Sequence, residues 1–418
     1  MYVAQDSKER SSPGVSLKTY DALILEARLR QSLTAVRSLG QRGLSVAAVE
    51  TFDGVPAFAS RWCREAFVCA DDGAESYLNF LERILTQASV RVLITSTDAH
   101  AKLLSQHRER FEKRVRLALA KEPALGIALN KERTLGVAER LGIHVPRGVS
   151  VKESSEVEAA LREVGLPAIV KPAESWSWKS DQGKGLASRL ITSADEAKSF
   201  VDEVAQQGLA TIFQQYLEGR REAISFLYAD GRFYARFAQW AKRTVPPLGG
   251  TSVLRQSIAL PADIGEQAER LVREIDLEGY SEVEFRRDRA GVPYLMEINP
   301  RLSASVEIAV RAGVDFPYLL YQWASGEKID TVSHYRVGGW MRHLGGDIES
   351  TLEMIQLRDR PEMESPARAL GGFFLAFFQP MRYDYWDHRD LAPTWRAVWG
   401  STRYWSARIG KRLVRKKS

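Results

Sequence analysis

The sequence predicts an α/β chain. A doubly wound parallel sheet lies at the N-terminal end, and an α+β region of antiparallel hairpins follows. Three observations carry this. Between residues 21 and 122, short apolar runs alternate with helical spacing, the pattern of repeated β-α-β units. Beyond residue 166, strand-forming runs follow one another, with turns at Asp230-Gly231 and between Asp288 and Gly291. Finally, 418 residues exceed what one core fills, so two or three domains are expected.

In order, "ALIL" (22–25) reads as a buried strand and "RQSLTAVRSLGQRG" (30–43) as a helix closed by glycine. "LSVAAVE" (44–50) is a second strand, "AESYLNFLERILTQA" (74–88) a helix and "VRVLITS" (90–96) a third strand. The turn after the first strand is Glu26-Ala27-Arg28-Leu29, without glycine. Backbone cannot approach a pyrophosphate there, which argues against a dinucleotide site. "NKERTLGVAERLGIHVPRGVSV" (130–151) is a helix, a break at Gly142 and an extended segment. "LPAIVKP" (166–172) is a short strand leading into a loop rich in Ser and Gly. Residues 211–240 and 280–300 hold the later strands.

Composition excludes several classes. At 44% hydrophobic and 27% charged, the chain is ordinary globular material without an apolar run long enough to span a bilayer. Residues 1–19 are polar, lack a signal-peptide core and read as a disordered leader. Two cysteines make no disulfide framework, so a reducing cytoplasm is expected. The net charge is +6, but eight Lys and Arg with no acid lie from Leu391 onward. Without them the balance is −2, which gives no case for a nucleic-acid partner.

The chemistry concentrates in "YLMEINPRLSAS" (294–305). Glu297 and Asn299 share a strand face. If the hairpin turns at 289–292, Glu284 falls opposite Glu297. Two adjacent carboxylates repel, and a hard divalent cation, Mg²⁺ or Mn²⁺, relieves the conflict. A solvated face with ordinary acids is the plain alternative. Lys171 ends a buried strand beside a loop whose Ser175, Ser177, Ser180, Gly183, Lys184 and Gly185 suit phosphate contacts; a surface lid is the alternative. Trp176 and Trp178 read as lid anchors or ordinary packing.

In this order, "NKERT", "AIVKP", "QQYLEG", "VEF" and "MEINPR" resemble the ATP-grasp superfamily, over roughly residues 20–330. The resemblance implies a Rossmann-like domain (20–123), then a two-lobed ATP-grasp domain (124–330) with a mobile lid lobe at about 145–212. It implies that Lys131 and Lys171 bind ATP phosphates. Gln214, Gln215, Tyr216 and Leu217 would face adenine, and Glu222 the ribose. Glu284, Glu297 and Asn299 would hold Mg²⁺, and Arg301 would contact the acyl phosphate. Gln214 departs from the acidic residue common there. The stretch 246–258 resembles a glycine loop of predicted carboligases; Arg243, Arg255, Ser303 and Ser305 are candidates for substrate. The implied activity joins a small-molecule carboxylate to an amine through an acyl phosphate. A bicarbonate-using carboxylase or carbamoyl-phosphate type is the alternative, disfavoured because no biotin-carrier or amidotransferase segment is seen. A non-catalytic nucleotide-binding protein is a further rival. Many relatives dimerise, which leaves a homodimer open.

Residues 331–418 read as a helical extension with a basic amphipathic tail. Trp395, Val398, Trp399, Trp405, Ile409 and Leu413 interleave with Arg396, Arg403, Arg408, Lys411 and Arg415. Packing by the tryptophans is the favoured reading; peripheral contact with an anionic membrane is the other.

Overall fold

In the computed structural model, the described residues are 17–70, 73–173, 188–247, 249–358, 360 and 363–400. The N-terminal sheet holds β1 (Lys18–Ile24), β2 (Val46–Glu50), β3 (Cys63–Val68), β4 (Ala88–Ile94) and β5 (Arg116–Leu117). All pair in parallel, in the order β3-β2-β1-β4-β5. The helices Arg30–Gln41 and Ala74–Gln87 give the crossovers. The strands β1, β2 and β4 are those read from sequence, although β1 starts four residues earlier than expected. β3 and β5 escaped notice: β3 alternates partly buried and exposed residues, and β5 is two residues long. Residues 1–16 of the expected leader lie outside the described residues, and part of its remainder belongs to β1. At the tip of β1, buried Glu26 (φ 51°) accepts the Ser96 N–H at 2.7 Å and pairs with His100. A carboxylate, rather than free backbone N–H groups, therefore occupies that turn.

A second, antiparallel sheet comprises β6 (Gly148–Val151), β7 (Ala168–Pro172), β8 (Arg189–Ile191) and β9 (Thr211–Gln215), ordered β6-β9-β7-β8. The helices Val157–Val164 and Ala194–Ala205 bury Val157, Ala160, Phe200, Val201 and Val204 against it, forming a separate small core. This unit spans most of the stretch, about 145–212, expected as a lid lobe.

The third sheet is the largest. It contains β10 (Arg221–Ala229), β11 (Arg232–Val245), β12 (Thr251–Ile258), β13 (Gly279–Arg287) and β14 (Pro293–Asn299). β15 (Trp340–Arg342) and β16 (Met381–Tyr383) extend it, in the order β14-β13-β10-β11-β12-β15-β16. Asp230 and Gly231 take φ of 49° and 71°, as a two-residue hairpin turn requires. The segment 216–220 joins β9 to this sheet. There Gly219 lies against the Arg287 carbonyl, where a Cβ would not fit.

The extension after residue 330 is not purely helical. It adds β15 and β16 to the main sheet and sends carboxylates into the body. Asp384 accepts from Arg30 (2.9 Å) and Arg255 (3.2 Å), and Asp390 from Arg37 (2.9 Å). Asp347 accepts from Arg243 (2.5 and 2.7 Å) and Arg342 (2.5 Å). Arg255 and Arg342 are fully buried.

Candidate active site

Strand register builds the site. β13 and β14 pair so that Glu284 faces Glu297 and Glu282 faces Asn299. The register then slips by one between Glu284 and Phe285, leaving Met296 as the extra residue of a bulge. Asn299 Nδ2 donates to Glu284 Oε1 at 3.1 Å, so the two polar groups share a face, as the sequence predicted.

Cations surround this pair. Arg221, on β10, donates to Glu284 Oε2 at 2.9 Å through Nε. Lys131 is the first residue of the helix Lys131–Arg140, whose start is fixed by Asn130 Oδ1 accepting the Arg133 N–H at 2.9 Å. Its Nζ lies 3.3 Å from Glu297 Oε2. Lys171, on β7, is 5% exposed and donates to Gln214 Oε1 at 2.9 Å. Burial, then repulsion by Lys131, pulls its ammonium down to about 7. Burial pushes Glu284 up; Arg221 opposes this and Glu297 adds to it. Burial also pushes Glu297 up, but Lys131, Lys171 and Arg221 outweigh it and hold it low.

These strains fit an anionic nucleotide and a hard cation. A buried ammonium bonded to an amide, with the Gln214 Nε2 donor buried and unpartnered, suits acceptor-rich phosphates and purine. Two carboxylates and a carboxamide form an oxygen donor set for Mg²⁺ or Mn²⁺. Among the described residues, no three His, Cys, Asp or Glu side chains converge on one metal position. Glu284 and Glu297 could hold such an ion only together with Asn299 and, as usual for Mg²⁺, oxygens from outside the protein.

Arg301 follows β14 and turns toward the N-terminal domain. Its Nε donates to Asp98 Oδ1 at 2.8 Å, and its Nη2 to Asp98 Oδ2 at 3.2 Å and Asn299 Oδ1 at 3.0 Å. Asp98 opens the helix Asp98–Gln106, so the parallel domain aims this guanidinium. Burial opposes the charge, but Asp98 raises the Arg301 pKa.

Other expected residues fall differently. Gln215 and Tyr216 sit at the connection from β9 to β10, Gln215 N–H donating to the Arg147 carbonyl at 2.9 Å and Tyr216 beneath the Arg286 guanidinium; Leu217 is buried. Both Glu222 oxygens are held, by Arg287 (2.7 Å) and Arg220 (3.2 Å), so a ribose hydroxyl would have to displace an arginine. Ser303 and Ser305 both donate to Glu282 Oε2 at 2.9 Å. Arg243 and Arg255 require correction as substrate candidates. Each is locked in an internal ion pair, with Asp347 and Asp384, and Arg255 has no exposed surface. Ser175, Ser177, Ser180, Gly183, Lys184 and Gly185, with Trp176 and Trp178, lie outside the described residues. Sequence reasoning missed Glu282, Arg221, Gln239 and Asp98. Only Glu282 had a local signal, two residues before Glu284 on the same strand face.

Fold, residue order and sequence similarity all liken this chain to ATP-grasp proteins. A family model described as "ATP-grasp in the biosynthetic pathway with Ter operon" matches residues 210–342. A D-alanine–D-alanine ligase from Nitrosospira multiformis is 26% identical over 186 residues, 42% of this chain and 58% of that one. The carbamoyl phosphate synthase large chain of Deinococcus radiodurans is 27% identical over 185 residues, 42% of this chain and 17% of that one. The chain thus spans less than two thirds of these relatives. Among solved structures, biotin carboxylase from Campylobacter jejuni superposes with a TM-score of 0.61 at 15% identity, covering 77% of this chain and 74% of that one. L-amino acid ligase from Bacillus licheniformis gives 0.57 at 17%, covering 74% of each.

Proposed function

We propose that this chain is an ATP-dependent carboxylate–amine ligase. The observation that carries the reading is the facing pair Glu284 and Glu297, with Asn299 beside it and Lys131 and Lys171 converging from separate elements. Lys131 and Lys171 hold the ATP phosphates. Mg²⁺ or Mn²⁺ held by Glu284, Glu297 and Asn299 would neutralise charge on the β- and γ-phosphates. A substrate carboxylate oxygen attacks the γ-phosphorus and ADP leaves. The amine nitrogen, having lost one proton to solvent, then attacks the acyl carbon, forming an amide while the phosphate leaves with a second proton. Arg301, aimed by Asp98 through Nε and Nη2, braces the acyl-phosphate oxygens with its remaining Nη1. The ligases among the similar proteins support amide formation.

The test is ADP release with a panel of carboxylates, each offered with amines and with hydroxylamine as a trap. Acid-dependent ADP release and a hydroxamate are expected. Turnover with bicarbonate alone would favour a carboxylase or carbamoyl-phosphate type, as in the biotin carboxylase and carbamoyl phosphate synthase matches. ATP binding without any turnover would favour a non-catalytic role.

A second reading concerns the tail. Of the 17 exposed large hydrophobic side chains among the described residues, 13 lie between Val337 and Trp399, including Phe374, Leu375, Phe378, Trp395 and Trp399. The same end of the sheet holds a cavity of about 1260 Å³ lined by Phe377, Trp386 and Val398. With the basic sequence that follows, this face suits an anionic bilayer surface. No helix among the described residues is long and apolar enough to cross a membrane. Salt-sensitive sedimentation with phosphatidylglycerol vesicles, and none with phosphatidylcholine, is expected. A dimer by light scattering that ignores both would make the face a self-association surface instead.

A further inference from the structure

Ten carboxylates are buried among the described residues. Nine of them have an arginine or histidine nitrogen within ion-pair reach: Glu26, Glu50, Glu222, Glu284, Glu307, Asp347, Asp384, Asp387 and Asp390. Glu282 is the exception. It is 3% exposed, and its contacts are neutral donors converging on Oε2: Ser225 at 3.4 Å and Gln239, Ser303 and Ser305 at 2.9 Å each. Arg301, on the following segment, is committed to Asp98 and Asn299. Arg221 and Arg301 act on Glu282 only from beyond ion-pair distance; a buried anion without a direct partner is costly, so a retained one suits an incoming cation.

A second observation points the same way. Gln239 is 5% exposed, and its Nε2 donates to Glu282 Oε2 and to Ser305 Oγ (2.6 Å). Those bonds fix the amide orientation and leave Gln239 Oε1 buried with no donor. A negative charge and an orphan acceptor thus sit together, both asking for N–H groups. The position is suitable: Glu282 lies opposite Asn299 and two residues from Glu284 on the same face, beside Arg301 rather than beside the nucleotide hinge.

We propose that Glu282, with Gln239, Ser303 and Ser305, docks the positively charged amino group of the amine substrate. This deepens the ligase reading and rests on it. It restricts the amine to one that arrives as an ammonium, such as an amino acid or primary alkylamine, and disfavours a neutral amide donor. A Lys-like ammonium offers three donors, matching the carboxylate, the amide oxygen and a hydroxyl.

The probe is methylammonium chloride, titrated by NMR against the full chain saturated with Mg·ADP. Wild type should bind it, and Glu282→Gln should bind at least about tenfold more weakly, the scale of one charge-assisted hydrogen bond. Mg·ADP affinity should not change. Glu282→Asp, which keeps the charge but draws it back, should fall between and replaces Gln if that variant fails to fold. Equal methylammonium binding by both proteins, or none by either, overturns the proposal. So does loss of Mg·ADP affinity in Glu282→Gln, which makes Glu282 a metal ligand. Hydroxylamine is uncharged near neutrality, so Glu282→Gln should still form hydroxamate while losing ligation to alkylamines. If wild type forms no hydroxamate with any acid, the ligase reading fails, whereas the methylammonium result still stands.

Discussion

The two edges of the large sheet use the same charged residues for opposite ends. At one edge, β13 and β14 carry Glu282, Glu284, Glu297 and Asn299; at the other, β12, β15 and the tail carry Arg255, Arg342, Asp347 and Asp384. They lie three strand spacings (β13 to β12) to five (β14 to β15) apart, roughly 14 to 24 Å at the usual strand spacing. In the tail seam each carboxylate is met by guanidiniums: Asp384 by Arg255 and Arg30, Asp347 by Arg243 and Arg342. Burial pushes Asp384 up, yet Arg255 and Arg30 outweigh it and hold the carboxyl well below the usual range. At the other edge the balance is left open. Glu284 is pushed up, Lys171 is pulled down and Glu282 has no ion-pair partner among the described residues. Matched buried charge serves assembly; unmatched buried charge marks a place for a ligand.

That contrast is broken most severely at the seam. Asp384→Asn leaves Arg255 buried without its partner, and losing one side of a buried pair costs about 3–5 kcal/mol. Chemical denaturation should register a loss of that size, with nucleotide affinity intact in whatever fraction stays folded. A shift under about 1 kcal/mol would mean the seam relaxes around the loss.

Next in size is Arg301→Lys. It keeps the charge but not the two-pronged contact with Asp98. Turnover should fall roughly ten- to a thousandfold, the scale of losing one transition-state donor, with Mg·ATP binding unchanged by titration. Loss of ATP binding in step with turnover would make Arg301 a nucleotide ligand.

The two edges were not equally legible. Glu284 opposite Glu297 could be read because strand alternation and a glycine turn are local rules, and the parallel strands β1, β2 and β4 announced themselves as apolar runs. Arg243 and Arg255 were misread because their partners lie 104 and 129 residues away, where no spacing rule reaches. Arg221 and Gln239 escaped for a similar reason. Their roles follow from β10 and β11 joining the same sheet as β13, not from any pattern on their own strands. The tail looked helical because β15 and β16 are three residues each and exist only by pairing with the main sheet.

The smallest effect sharpens the comparison at Lys171. Its ammonium is held near 7 by burial and by Lys131, far below the ordinary lysine value. Below that pH the side chain already carries its proton when phosphates arrive. Above it, a polyanion that favours the ammonium must draw a proton from solution as it binds. ATP affinity should therefore fall as pH rises from about 7, by at most about tenfold for each pH step of one, or about 1.4 kcal/mol. Stability should move the other way. The unfolded chain holds this proton up to the ordinary lysine value while the folded one has released it, so the Lys171 contribution to stability rises with pH between about 7 and that value. Lys171→Met removes both slopes and lowers ATP affinity at pH 7 by roughly ten- to a hundredfold, the cost of one charged hydrogen-bonding group. Calorimetric titration of ATP at several pH values, in two buffers of different ionisation heat, measures the proton uptake directly. A pH-independent wild-type affinity, or a slope that survives in Lys171→Met, would assign the proton to another group.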